Sequence, residues 1–393
     1  MRILAVDDDA DALRYLTGVL GENHEVTACS TGEEAQHQMR LQLDEAHALT
    51  FGYVPRGNSA RLLGVGVPLL LGHAPGDSNF QRLITSGAAK VFGSFGWTSR
   101  AYLTGIEDRY LIALQPSIIE RLKPTFTTAK GDSQIQRVLP NDVYSVSSYR
   151  FAEPAAAWQS LKTSVSSQVD VLSAIVFSSV LKSALLSYGI DDADAFLGGA
   201  DGELLTLQLD ETDERAILIA GVRDRARLRE LVTGKFGMRR LNEPAGESET
   251  FKDGQGEFMA SFIDDFIVIG AAADVRRYVE GRRANAAILT TEKLRRMTSY
   301  VSSPDSASIV TYTDDSDRVR SFLSAMIVAI GAQTPPGHLD EVLSGLPYSV
   351  TETTLGDRGI ERSTRSPLGQ FSTLLPLLIP ERLAPTKKAT ESK

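Results

Sequence analysis

A stretch in the second half of the chain, residues 258–281 (FMASFIDDFIVIGAAADVRRYVEG), constrains the fold more than any other part of the sequence. Apolar residues alternate at a period of two up to the pair Asp264 and Asp265, and a continuous apolar run follows that pair. Such a pattern is typical of two strands joined by a tight turn. Asp274 is a candidate N-cap for a short helix that Gly281 ends. The stretch therefore predicts a β-hairpin followed by a helix.

The same order of residue types occurs at residues 101–123 (AYLTGIEDRYLIALQPSIIERLK). A gapless shift that places Ile106 on Ile263 also places Glu107 and Asp108 on the acidic pair of the later stretch. A turn, a helix start and several core positions coincide under this one shift. The coincidence predicts an internal repeat, with a turn at Glu107 and Asp108.

Strands that lead into amphipathic helices begin at three further places, within residues 44–63, 142–161 and 302–323. From these patterns we predict an α+β fold of repeated antiparallel sheet-plus-helix units, with the helices on one face of the sheets, preceded by a partial βαβ segment. The predicted divisions are a segment at residues 1–40, a first, shortened unit at 41–130, a complete unit at 139–300, a partial unit at 301–375 and a flexible tail at 376–393.

Composition excludes several classes of protein. The chain of 393 residues is 42% hydrophobic and 23% charged, which is typical of a globular protein with a sizeable core. Its net charge of −9 and the acidic residues interleaved with its arginines argue against a nucleic-acid partner. One cysteine excludes a disulfide framework. The apolar runs are shorter than the roughly 18–20 residues of a spanning helix, so no transmembrane segment is expected.

The first 35 residues carry the most recognisable motif. A short apolar strand ends in Asp7, Asp8 and Asp9, and an amphipathic helix follows. The sequences ILAVDDDADALRYL and VTACSTGEEA resemble the opening of a response-regulator receiver domain. The resemblance implies that Asp7 and Asp8 bind Mg²⁺ beside a phospho-accepting aspartate, in a phosphorelay of two-component signalling. The receiver-like segment covers residues 1–40 or, in the alternative interpretation, extends to residue 110 as a degenerate receiver.

The later receiver positions lack the residues that phosphoryl transfer needs. The best placement of the third strand, ALTFGYVP, puts Phe51 or Gly52 at the acceptor position. His73 stands where the resemblance implies Ser or Thr, and Ser94 stands where it implies lysine. We therefore expect no phosphorylation of an aspartate. Asp7 and Asp8 are the only candidate metal ligands, Mg²⁺ is the only cofactor implied, and we assign no catalytic residue.

The remainder of the chain resembles a bacterial tandem-repeat α+β family of unknown function whose members are often exported. Asp7, Asp8 and Asp9 lie where the apolar region of a signal peptide would begin, so the sequence as written predicts a cytoplasmic protein. The envelope or periplasm is the expected location if the true N-terminus differs.

These observations favour a non-enzymatic binding or scaffold protein with a receiver-like N-terminus and a link to two-component signalling. The alternative is a phospho-accepting response regulator whose receiver controls the C-terminal output region. A hydrolase is the third hypothesis, although no G-x-S-x-G or H-E-x-x-H motif occurs. A protein partner stays open, and the sequence predicts neither the ligand nor the oligomeric state.

Overall fold

The structure is a computed structural model. It describes the following residues: 4–5, 48–61, 78–102, 105–129, 138–140, 143–169, 174, 178, 181–182, 184–210, 216–241, 248–283, 291–301, 307–329, 343 and 345–369.

The described strands are β1 Leu4–Ala5, β2 Thr50–Val54, β3 Phe92–Tyr102, β4 Gly105–Leu114, β5 Ser145–Tyr149, β6 Ala200–Gln208, β7 Ile217–Val222, β8 Arg239–Arg240, β9 Ser248–Lys252, β10 Phe258–Ile263, β11 Phe266–Ala271, β12 Ile309–Thr313, β13 Ser349–Leu355 and β14 Gly359–Ser366. The principal helices are α1 Ser78–Val91, α2 Pro116–Leu122, α3 Pro154–Ser166, α4 Ala193–Gly199, α5 Arg225–Glu230, α6 Ala272–Arg283, α7 Thr291–Thr298 and α8 Ser316–Ala329. A π-helical turn, Leu231–Lys235, continues α5.

All of these strands belong to one sheet, in the order β1-β2-β3-β4-β14-β13-β12-β5-β6-β7-β11-β10-β9-β8. β1 and β2 are parallel, and every other neighbouring pair is antiparallel. Strands that are consecutive in sequence lie side by side in β2–β4, β5–β7 and β12–β14. β14 is inserted between β4 and β13, so it joins the hairpin of β3 and β4 to the pair of β12 and β13.

Helices cover both faces of the sheet, so the expectation that they pack on one face is wrong. Ile217 and Ile219 of β7 pack in a cluster with residues of α6 and α7. Leu218 and Ala220 alternate with them and pack in a second cluster with residues of α4 and α5. Since both faces of this strand are apolar, each needs a layer of helices to exclude water. At β7 the sheet therefore lies between two layers of helices.

The prediction for residues 258–281 is confirmed in its order of elements. β10 and β11 pair with Phe258 opposite Ala271, and Asp264 adopts a φ of 49° in the turn between them. The helix α6 begins at Ala272, so Asp274 lies in its first turn and the N-cap assignment is wrong. The backbone N–H of Ala272 instead donates to the carbonyl of Glu257 at 2.8 Å.

The turn predicted at Glu107 and Asp108 is also wrong. Both residues lie within β4 and are buried, and β3 ends at Tyr102, which pairs with Gly105 at the start of β4. An acidic pair usually indicates an exposed turn, but here side chains from neighbouring strands neutralise or hydrogen-bond each carboxylate. The internal repeat itself stays a prediction.

The N-terminal segment is described only at β1. The parallel partner of β1 is β2, with Leu4 opposite Gly52. On its other side β2 pairs with β3 in antiparallel orientation, whereas a receiver sheet is parallel. The tail at residues 376–393 lies outside the described residues. In the part of the chain that the structure describes, no helix is both long enough and apolar enough to cross a bilayer.

Candidate functional site

A cleft of about 620 Å³ opens beside α3, between the loop that precedes α4 and the end of the π-helical turn. Its apolar wall comes from Trp158, Leu181 and Ala193. Its charged lining is made of three lysines and three aspartates, namely Lys162, Lys182, Lys235, Asp191, Asp192 and Asp194. Such a volume is within the range of sites for small molecules, roughly 300–1,000 Å³.

The helix α3 presents two of these groups from one side. It begins with Pro154, whose fixed φ and missing N–H suit the first helical position. Trp158 and Lys162 are four residues apart and therefore lie on the same face of the helix. Ala157 and Val165 of the same helix are buried and anchor α3 to the rest of the protein. The indole and the ammonium group consequently reach the cleft together.

A tight change of chain direction brings the acidic loop to the cleft. Gly189 has a φ of +79°, and a Cβ at this position would lie 2.8 Å from the ring of Phe258. Both the backbone conformation and the space therefore require glycine. Three residues later Asp192 becomes the N-cap of α4, and its carboxylate accepts a hydrogen bond from the backbone N–H of Ala195 at 2.9 Å. The cap fixes the aspartates at the rim of the cleft.

Two lysines pair with two of the aspartates. Lys162 Nζ contacts Asp194 Oδ1 at 2.7 Å and Oδ2 at 2.6 Å. Lys235 Nζ donates to Asp192 Oδ2. This hydrogen bond, together with the one from Ala195, holds the pKa of Asp192 below its usual value. Hydrogen bonding to Asp192 likewise raises the pKa of Lys235 above its usual value.

The remaining two charged side chains of the cleft are open, which here means exposed and not paired with another described residue. Lys182 and Asp191 are both exposed, and among the described residues neither makes a hydrogen bond or an ion pair. The Coulombic influence of Asp191 reaches Lys235 without a direct contact. The cleft thus combines two closed charge pairs with one open cation and one open anion, beside an aromatic ring. This arrangement can bind and orient a polar ligand.

A second concentration of charge lies in the sheet itself. Glu107 is fully buried, and its two carboxylate oxygens accept hydrogen bonds from Arg100, Arg109 and Arg365. Burial alone would raise the pKa of Glu107, but the positive charges of these guanidinium groups outweigh burial and hold that pKa below its usual value. Arg365 also contacts Glu352 at 2.7 Å. These contacts join β3, β4, β14 and β13, so we assign the cluster to the stability of the sheet.

The candidate metal ligands Asp7 and Asp8 lie outside the described residues, as does His73. In the described part of the chain, no group of three or more His, Cys, Asp or Glu side chains is arranged to hold a metal ion. At the predicted acceptor position, Phe51 is buried and Gly52 lies directly opposite Trp97. Ser94 lies in β3.

The sequence did not point to the cleft. Its lysines and aspartates come from four separate segments, and only the folded chain brings Lys162 to Asp194 and Lys235 to Asp192. The one local signal is the capping pattern at Asp192, which predicts a helix start but no ligand site. Comparison of the chain with protein-family models, with curated proteins and with solved structures found no match.

Proposed function

We propose that this chain is a non-enzymatic binding or scaffold protein, and that the cleft beside Trp158 is its ligand site. The observation that carries the proposal is the combination of an aromatic side chain with a balanced set of charges around one cleft. The exposed ion pairs of the cleft contribute little to stability, so the fold does not depend on the charges that line it. The packing of α4 against β7 supplies the support that a preformed site needs.

The repeated architecture belongs to the same proposal. Its support is the order strand, helical segment, strand, strand, which occurs at β2–β4, at β5–β7 and at β12–β14, although the helical segment of β5–β7 contains both α3 and α4. In each case the three strands are neighbours in the sheet. We propose that these segments are copies of one sheet-plus-helix unit, assembled into a continuous scaffold.

A link to two-component signalling has one specific observation in its favour. β1 and β2 are parallel neighbours, as are the first and third strands in the doubly wound order 2-1-3-4-5. Phe51 or Gly52 at the acceptor position argues against phosphorylation at this site. Incubation with acetyl phosphate and Mg²⁺, followed by intact-mass measurement, tests the point. We expect no added phosphoryl group, and a mass gain that one carboxylate substitution abolishes would favour the response-regulator alternative.

The binding proposal is tested by screening amino acids, short peptides, nucleotides, sugars and organic acids for a rise in melting temperature. The cleft variant combines Lys182→Gln with Asp191→Asn, because both side chains are exposed and we expect their removal to leave the fold intact. The matched control combines Lys123→Gln with Asp357→Asn, an exposed ion pair elsewhere on the surface. We expect at least one compound to stabilise the wild type and the control but not the cleft variant. Equal responses of all three proteins, or no response, would contradict the proposal.

A further inference from the structure

We infer that the ligand of the cleft is a small zwitterion, namely an amino acid or a short peptide with both termini free. The inference rests on the proposed function, because it names the class of ligand for the same site. The chemistry on which it depends is the pair of open charges, Lys182 and Asp191, beside the indole of Trp158.

Four of the six charged side chains of the cleft are already paired, so they do not need a partner from the ligand. Lys162 with Asp194 and Lys235 with Asp192 already satisfy each other. A ligand that carries one carboxylate and one ammonium group finds one unpaired partner for each, Lys182 for the carboxylate and Asp191 for the ammonium. It therefore gains two new charge contacts without breaking either existing pair.

The charge balance of the cleft also disfavours other classes of ligand. Three lysines and three aspartates give no net charge, so a polyanion or a polycation would bring each of its charges close to a like charge. A zwitterion meets no such repulsion, provided that its charges are oriented toward Lys182 and Asp191. The site thus favours ligands by the positions of their positive and negative groups rather than by their net charge.

The apolar wall of the cleft can contact the uncharged part of the ligand. Trp158 and Leu181 offer a surface against which an aliphatic side chain can pack, and aromatic rings also attract an ammonium group. The cleft volume of about 620 Å³ exceeds that of one amino acid and accommodates a peptide of a few residues. The two charged termini of a short peptide lie several residues apart, whereas the two charges of a single amino acid are adjacent.

The test uses the full chain with Trp97→Phe, which leaves Trp158 as the only tryptophan, since the sequence contains two. Its fluorescence is titrated with the tripeptide Ala-Leu-Ala in four forms: free, N-acetylated, C-amidated and blocked at both ends. L-leucine is the fifth probe and separates a free amino acid from a peptide. We expect the free tripeptide or L-leucine to bind, and each single block on the tripeptide to weaken its binding by about tenfold or more.

Two variants assign the termini. In Lys182→Gln, C-amidation should no longer matter, while N-acetylation still weakens binding. In Asp191→Asn the pattern should be the reverse. Melting temperatures of both variants equal to that of the parent show that the fold is intact. If all four peptides bind equally, or if neither the free tripeptide nor L-leucine binds at about 10 mM, the inference is wrong.

The two proposals can fail separately. A compound from the screen that binds in a manner dependent on Lys182 and Asp191, while zwitterions do not bind, would overturn this inference and leave the binding proposal standing. Failure of both the screen and the peptide titration would overturn both.

Discussion

Arg365 and Glu107 are 258 positions apart in the sequence and directly opposite each other on β14 and β4. Two nitrogens of Arg365, Nε and Nη2, contact Glu107 Oε1 at 2.8 and 2.7 Å. Nη1 of the same guanidinium contacts Glu352 on β13 at 2.7 Å. One arginine therefore connects the carboxylates of the two strands that flank β14. The Glu107 side chain is 0% exposed and that of Arg365 is 7% exposed, so water cannot replace either partner.

We predict that Glu107→Gln destabilises the protein by on the order of 3–5 kcal/mol, because it removes the buried negative charge that Arg365 shares with the half-buried Arg100 and Arg109. Chemical denaturation with urea, analysed for the free energy of unfolding, measures the effect. The control is Asp357→Asn, which removes an exposed carboxylate paired with Lys123 and should cause no measurable change. Equal stability of the two variants would show that the buried cluster does not hold the strands together.

The same carboxylate predicts a pH dependence. The pKa of Glu107 in the folded protein lies below its usual value, so its contribution to stability is complete above the unfolded-state pKa. That contribution is lost as the pH falls through the lower, folded-state pKa. The difference in unfolding free energy between the wild type and Glu107→Gln should therefore shrink under acid conditions. A difference that grows on acidification would contradict this assignment.

A third prediction concerns Gly52 in β2. The Trp97 ring lies over this glycine, and a Cβ added there would overlap the ring. We expect Gly52→Ala to cost about 1–3 kcal/mol through displacement of Trp97. Gly57 provides the matched control, since it is exposed in a helical segment and a Cβ there meets nothing within 4 Å. Gly57→Ala should be neutral or stabilising by up to about 1 kcal/mol. Unfolding curves followed by tryptophan fluorescence distinguish the two.

The cap of α4 gives a fourth prediction. Asp192→Ala removes the acceptor of the Ala195 N–H and should destabilise the protein by about 0.5–2 kcal/mol. Asp192→Asn keeps an oxygen in the same place, so it should retain most of the stability while weakening the contact with Lys235. Thermal unfolding of both variants checks the order. If the asparagine variant is as unstable as the alanine variant, the charge pair rather than the cap is responsible.

Local patterns predicted the elements better than their arrangement. Residues 258–281 form the expected hairpin and helix, because alternation and a short acidic turn are determined by neighbouring residues. The burial of Glu107 could not be predicted in this way, because its partner Arg365 is distant in sequence.

The candidate site was beyond sequence analysis for the same reason. Asp192 and Asp194 form an ordinary helix start by pattern, and nothing adjacent to them indicates Lys162 or Lys235. Helices on both faces of the sheet could have been inferred from the doubly apolar strand β7, in which Ile217 to Ala220 are all buried. The single continuous sheet could not, since it depends on the insertion of β14.

The position of β14 bears on how the chain folds during its synthesis. Until residues 359–366 have emerged from the ribosome, β4 and β13 have no strand between them. The edges of β4 and β13 that later pair with β14 are then unpaired. Unpaired edges are prone to pair with other chains. Only the emergence of residues 359–366 lets β4 and β13 become neighbours of one strand. A truncation just before β14 should therefore yield a chain that associates with its own copies, although it lacks only β14 and the residues after it.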